Sequence, residues 1–306
     1  MEKKVFQPIQ GRSLAHIMKK KLGLPKKGSY ALIRMCKQIA NPRQFFLRKS
    51  LANNVKKGNQ VIKEGYKTFK ENDIPGIANI IHLCQKITEN KLTNNKNPKI
   101  YQRNVGKDFL LPILGGKEFL DYPDLIQFIV SNDILNPVVN YLGTVPIFAG
   151  ANIFWSPANQ TATSSQLFHL DTEDYTQIKV FINICDVSEE NGPFAFLPAN
   201  LSQKFLKKIN YSEYDSRRFQ DDEIFSHIDS QNVIKLIGKA GSGAFVDTAQ
   251  CLHYGSRLNK YDRIILMLQY QRFDTPLESV ASIDIPSHAP FFASMTNIQK
   301  LTLGYI

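Results

Sequence analysis

Between Ile147 and Phe273 the sequence falls into short apolar runs, each closed by a turn, and this punctuation limits the fold more than any other feature. Ile147–Phe154, Leu167–Asp171, Ile178–Asp186, Phe194–Leu197, Ala244–Asp247 and Arg263–Phe273 read as strands. Asn191-Gly192-Pro193 and Gly241-Ser242-Gly243 read as turns. Closely spaced strands of this kind predict a β-sandwich or jelly roll. In Lys179–Asp186, Val180, Ile182 and Ile184 form a wholly apolar face, whereas Lys179, Phe181, Asn183 and Cys185 form a mixed one. A barrel wall packed outside against helices, with a polar-studded interior, produces that alternation.

The N-terminal third has a different texture. Leu32, Ile33, Cys36, Ile39 and Ala40 recur at helical spacing until Asn41-Pro42, and 43–57 reads as a second, basic helix. Val61, Ile62, Tyr66 and Phe69 predict a third helix, stopped near Pro75-Gly76, and Ile77, Ile80, Ile81, Cys84 and Ile87 a fourth, ending in a polar loop at Thr93–Pro98. Tyr122–Ser131 reads as a further helix. The expected division is a basic helical region over 1–99, loosely ordered at 1–27, then a β domain over 100–275 with a long polar insertion at 199–232. A tail at 276–306 packs on the core.

Charge follows the same division. Residues 1–105 carry 23 Lys/Arg against 5 Asp/Glu, and residues 106–306 carry 15 against 22, within a net charge of +11. The basic region has three readings: a solvated helical face, a surface that draws in an anionic substrate or partner, or a nucleic-acid contact. The last is the least favoured, because no recognised motif accompanies the lysines. No apolar run approaches the ~18 residues of a membrane helix, and no signal-peptide core follows the first charges. Cys36, Cys84, Cys185 and Cys251 are scattered without CxxC spacing, which suits free thiols in a reducing cytoplasm.

Within the β region, Gln166-Leu167-Phe168-His169-Leu170-Asp171 and the later Cys251-Leu252-His253, followed by Arg263, carry the chemistry. Residues two apart on an extended segment share a face, so His169 and Asp171 project together while Leu170 turns away. With His253 they make a two-histidine, one-carboxylate set that holds a metal and leaves its other side open, as in non-haem Fe(II) oxygenases. A closed structural zinc site would want a fourth ligand, usually with cysteine. Arg263 heads a strongly apolar strand, where a charge wants a partner. Its planar fork suits an anionic co-substrate.

From about Leu120 to Phe273 these landmarks resemble the phytanoyl-CoA dioxygenase family. They are Tyr141-Leu142-Gly143, the His169-Leu170-Asp171 stretch, Glu190-Asn191-Gly192-Pro193 with Phe196-Leu197-Pro198, Gly243–Asp247, and Leu252-His253-Tyr254-Gly255-Ser256 with Asn259 and Arg263. Where the family usually continues Gly-Ser-His after Phe196-Leu197-Pro198, this chain has Ala199-Asn200-Leu201. The resemblance implies a double-stranded β-helix, Fe(II) held by His169, Asp171 and His253, and 2-oxoglutarate held at its distal carboxylate by Arg263, with Ser256 or Gln166 adding a hydrogen bond. It implies O2 as the second co-substrate and release of succinate and CO2. Related halogenases carry a small residue in place of the carboxylate, so Asp171 favours hydroxylation of a small organic substrate. The rival expectation is a non-catalytic relative that binds a partner through its basic region.

Other residues have plainer readings. His82-Leu83-Cys84 lies in a helical apolar pattern and reads as core. His16, His227 and His288 have no partners in view, and Trp155 reads as packing. Lys179 and Asn183 face the mixed side, where contact with substrate is open to both, and satisfaction of the barrel backbone is equally open to Asn183.

Overall fold

The computed structural model describes residues 26–55, 61–94, 109–211, 217–275 and 290–305. The first described elements are helices α1 (Lys26–Ala40) and α2 (Pro42–Asn53), strand β1 (Tyr66–Phe69) and helix α3 (Ile77–Asn94). β2 (Leu111–Gly115), α4 (Pro123–Ile129) and α5 (Asn132–Leu142) lead into the long strand β3 (Ile147–Ser156). Then come β4 (Ile178–Asn183), β5 (Ala195–Phe196), α6 (Ala199–Lys208), α7 (Asp221–Phe225), β6 (Ile234–Lys235), β7 (Gly243–Val246), β8 (His253–Tyr254) and β9 (Arg263–Gln271). Helices α8 (Pro290–Ala293) and α9 (Asn297–Thr302) follow. The segment expected to be loose, 1–27, lies outside the described residues but for its last two positions, and so does most of the Thr93–Pro98 loop.

The strands form a six-stranded sheet in the order β1-β7-β4-β9-β3-β2 facing a three-stranded sheet, β6-β5-β8. Every pairing is antiparallel. This is a double-stranded β-helix with helices outside it. The alternation read in the sequence is realised in three apolar layers. Val180, Ile182, Leu266, Leu268 and Tyr270 face outward into α3, α4 and α5. Phe181, Phe194, Phe196, Ala244 and Ile265 fill the space between the sheets. Phe205, Ile224, Leu252 and Tyr254 cover the outer face of the small sheet. Burying a large apolar side chain contributes roughly 1.5–3 kcal/mol, so these layers supply the main drive to fold. β7 lies so close to β4 that a Cβ on Gly243 would sit 2.1 Å from the Phe181 carbonyl oxygen, which only glycine tolerates.

Three expectations are corrected. The third helix expected from Val61 to Phe69 is a strand: Tyr66–Phe69 pairs with β7 at the edge of the large sheet. Glu64 and Gly65 both have positive φ, 50° and 83°, and this turn stops a helix before it can start. The 199–232 insertion is not polar throughout. It contains α6 and α7, and Phe205, Leu206, Phe219, Ile224 and Ile228 bury themselves from it. Its charges mark the solvent side of two helices and hide an i, i+4 apolar face. Leu167–Asp171 is extended but is not a ladder strand; Phe168 and His169 form isolated bridges to Phe219 and His253.

Candidate metal centre

The site is built on one reciprocal backbone pair. The amide of His169 donates to the His253 carbonyl, and that of His253 donates back to His169, both at 3.0 Å. Directly opposed residues send their side chains to the same face. The imidazoles therefore lie side by side, with ring centroids 4.3 Å apart. Two residues on, the Asp171 amide donates to the Thr248 carbonyl at 2.9 Å, which holds the carboxylate on that same face. The turn that carries Thr248 is fixed by Asp247. This buried carboxylate accepts from the Tyr141 and Thr176 hydroxyls, both at 2.9 Å, and from the Ala249 amide at 3.0 Å.

One ligand atom from each of His169, Asp171 and His253 can be chosen so that all lie within 4.8 Å of one another. Nδ1 of His169 lies 2.8 Å from the Leu167 carbonyl, and Nδ1 of His253 lies 3.0 Å from the Cys251 carbonyl. A carbonyl only accepts, so each Nδ1 carries the proton and each Nε2 presents a lone pair. Burial, and then the neighbouring His253, push the His169 pKa down to about 3. Burial also lowers that of His253, against the pull of Asp171. Both rings are neutral at pH 7, the form that binds a metal.

Asp171 is held in its charged form. Burial works to raise its pKa, but Lys179, His253 and His169 outweigh it and keep the carboxyl well below its ordinary range. Lys179 Nζ donates to Oδ2 at 2.7 Å, and Gln177 Nε2 donates to the same oxygen at 3.3 Å. The Gln177 Oε1 accepts in turn from Gln269 at 3.1 Å and Gln271 at 3.0 Å. Lys179 is thus the carboxylate's partner, a role the sequence did not suggest. Its place on the mixed face of β4 was the available signal. Asn183 instead satisfies the barrel, donating to the Leu236 carbonyl at 3.2 Å.

Arg263 stands at the other end of the interior. Lys179 pairs with Gln269, Phe181 with Met267 and Asn183 with Ile265, so Arg263 lies beyond the last of these rungs. Between the two ends, Phe181 stacks on Phe194 with centroids 3.9 Å apart, and Phe194 lies 5.6 Å from the His253 ring. Arg263 is 2% exposed. Its Nη2 donates to Ser156 Oγ at a long 3.4 Å, while Nε and Nη1 have no partner among the described residues. Burial lowers its pKa to about 10, which leaves it charged at pH 7.

Gln166 and Ser256, expected to assist Arg263, are buried but engaged elsewhere. Gln166 accepts from the Thr163 amide at 2.8 Å and donates to the Ser256 carbonyl at 2.7 Å, while Ser256 Oγ donates to Asn259 at 3.1 Å. Their side chains brace the loops on which His169 and His253 ride. Cys84 is core as expected, but His82 is exposed. His227 packs near Phe205, and Trp155 donates to Asp262 at 2.8 Å. His16 and His288 lie outside the described residues. Among the described residues no helix is long and apolar enough to cross a membrane.

No protein-family model matches the chain, and no curated protein matches it. Solved structures do. EctD from S. alaskensis in its apoform is 12% identical, covering 76% of this chain and 85% of that chain, with a TM-score of 0.50. The non-heme alpha ketoglutarate dependent carbocyclase SnoK from nogalamycin biosynthesis is 13% identical, covering 80% and 92%, with a TM-score of 0.46. At such identities the likeness to EctD speaks for the fold alone, and it agrees with the double-stranded β-helix described above.

Proposed function

We propose that this protein is an Fe(II)- and 2-oxoglutarate-dependent dioxygenase of the phytanoyl-CoA dioxygenase type that hydroxylates a small organic molecule. The observation that carries this is the pairing of a two-histidine, one-carboxylate cluster with a buried arginine, two of whose three nitrogens lack partners among the described residues. A buried, unpaired cation is costly and calls for an anion. In this reading His169, Asp171 and His253 hold Fe(II), and Arg263 receives the distal carboxylate of 2-oxoglutarate. When bound, the metal and co-substrate supply the oxidant: 2-oxoglutarate, O2 and a C–H bond give succinate, CO2 and a C–OH group. The protein's own part is to keep both imidazoles neutral, to hold Asp171 ionised through Lys179, and to line the path between metal and arginine with Phe181 and Phe194. Asp171 occupies the position that halogenation would require to be small, which favours hydroxylation.

The pocket beside Asp171 bears on the substrate. Tyr30, Tyr175, Gln203 and Gln250 line it together with Asp171 and Asp174, and among the described residues neither His169 nor His253, and no lysine or arginine, is part of its wall. That favours an uncharged, hydrogen-bonding substrate over the anionic one the basic region suggested. The unpaired thiols of Cys36, Cys84, Cys185 and Cys251 suit a cytoplasmic setting. Succinate release measured with and without Fe(II) and 2-oxoglutarate tests the reading. Release should need both, stop on chelation of the metal, and vanish in His169→Ala. Product mass should rise by one oxygen. No Fe(II)-dependent succinate under any condition would overturn the proposal, and a loss of two hydrogens would replace hydroxylation with desaturation or ring closure.

A further inference from the structure

Helix α1 belongs to the basic region, yet its polar side chains are turned inward onto the segment that follows the metal carboxylate. The Tyr30 hydroxyl donates to the Thr172 carbonyl at 2.9 Å. Arg34 Nη2 donates to both oxygens of Asp174 at 2.8 Å, and Nη1 donates to the Tyr175 hydroxyl. The guanidinium also sits 4.1 Å over the Tyr175 ring. One turn on, Lys37 Nζ donates to the Thr275 carbonyl at 2.6 Å and Gln38 donates to Asp274 at 2.5 Å. Asp274 in turn accepts from Nε and Nη2 of Arg272, both at 2.9 Å. Positions 30, 34, 37 and 38 share one face of the helix, and that face ties residues 172–175 to the segment leaving β9.

Arg34 is 8% exposed and Asp174 is 2% exposed. Burying such a pair costs more than a surface pair returns, so it is a poor device for stability alone. Its location suggests another use. The segment from Thr172 to Gln177 contains no helix or strand. Asp171 enters it directly, so what holds the segment adds to the Thr248, Lys179 and Gln177 contacts in setting the carboxylate's position. Tyr30 and Tyr175 also wall the pocket beside Asp171.

We propose that α1 is part of the active site. Tyr30 and Arg34 are positioning residues that hold Thr172–Tyr175, and through it Asp171, in the metal-binding arrangement, while Tyr30 closes the substrate pocket. The second half rests on the oxygenase reading; the first needs only the three-residue metal cluster.

The test uses the whole chain with Co(II) alone as probe. Arg34→Gln should weaken Co(II) binding by about tenfold, the lower end of the usual effect of removing an outer support. Tyr30→Phe should weaken it by less, and Arg34→Lys should recover part of the loss. Amide hydrogen exchange at 172–175 should speed up in Arg34→Gln and Tyr30→Phe, and the Co(II) absorption spectrum should change. A folded Arg34→Gln with wild-type Co(II) affinity and wild-type exchange at 172–175 overturns the proposal. Should Arg34→Gln fail to fold, Tyr30→Phe decides by the same two measurements. Absence of succinate release from the Co(II)-competent wild type, tested with Fe(II) and 2-oxoglutarate, refutes the oxygenase reading and the substrate-pocket half of the proposal. The positioning half is still decided by the affinities.

Discussion

Two arginines are almost wholly buried, Arg48 at 1% exposure and Arg263 at 2%, and their surroundings treat them in opposite ways. Around Arg48 every nitrogen has a partner: Nε has Gln44, Nη1 the Val145 and Pro146 carbonyls, and Nη2 the Leu301 carbonyl, all at 3.0–3.1 Å. That guanidinium joins α2, the entry to β3 and α9. Around Arg263 one long contact is made and two nitrogens are left over. A fold that wanted a stapling cation there had only to place carbonyls around it, as it did around Arg48. Burial alone therefore does not distinguish a structural charge from a binding one, whereas the count of occupied nitrogens does.

The comparison is most strongly tested by removing each cation. Arg48→Met should cost at least ~3 kcal/mol, because it strands the Val145 and Pro146 carbonyls and the Gln44 side-chain oxygen at ~1–3 kcal/mol each. Urea denaturation would show this, and 2-oxoglutarate affinity should not change. Arg263→Met should do the reverse: the urea midpoint holds or rises, since an unpaired buried charge is exchanged for an apolar chain, while 2-oxoglutarate binding weakens about 100-fold, or ~2.7 kcal/mol. Equal destabilisation in both, with co-substrate binding intact, would erase the distinction. The smallest effect concerns Asp274, on the structural side. Burial works to raise its pKa, but Arg272, Gln38 and Arg34 outweigh it and hold the carboxyl below its ordinary range. Its folded pKa is depressed, so its contribution is present above about pH 4 and is lost as pH falls through the folded value. Asp274→Asn should flatten that part of a stability–pH curve.

The β-helix and the pairing of His169 with Asp171 were legible because both rest on local rules: alternation along β4, and the shared face of two residues two apart; His253 joined them only through the ordered landmarks. What the sequence concealed was of long range. Tyr66–Phe69 is a strand because β7 lies beside it, and the apolar spacing before it fits a helix equally well. Gln166 and Ser256 have the right chemistry for a co-substrate, yet they spend it on each other's loops. Lys179 is eight residues from its carboxylate partner in sequence, but Arg34 is 140 from Asp174. No periodicity reports a contact of that separation, so the basic helix looked like a solvated or anion-attracting face.

The mutual amide–carbonyl rung between His169 and His253 has one more consequence. Two of the three ligands are delivered by the same bonds that close the barrel, so their spacing is inherited from folding and not imposed by an ion. If the proposed Fe(II) is stripped by a chelator, the two imidazoles should stay side by side, and the protein should take up metal again without unfolding in between.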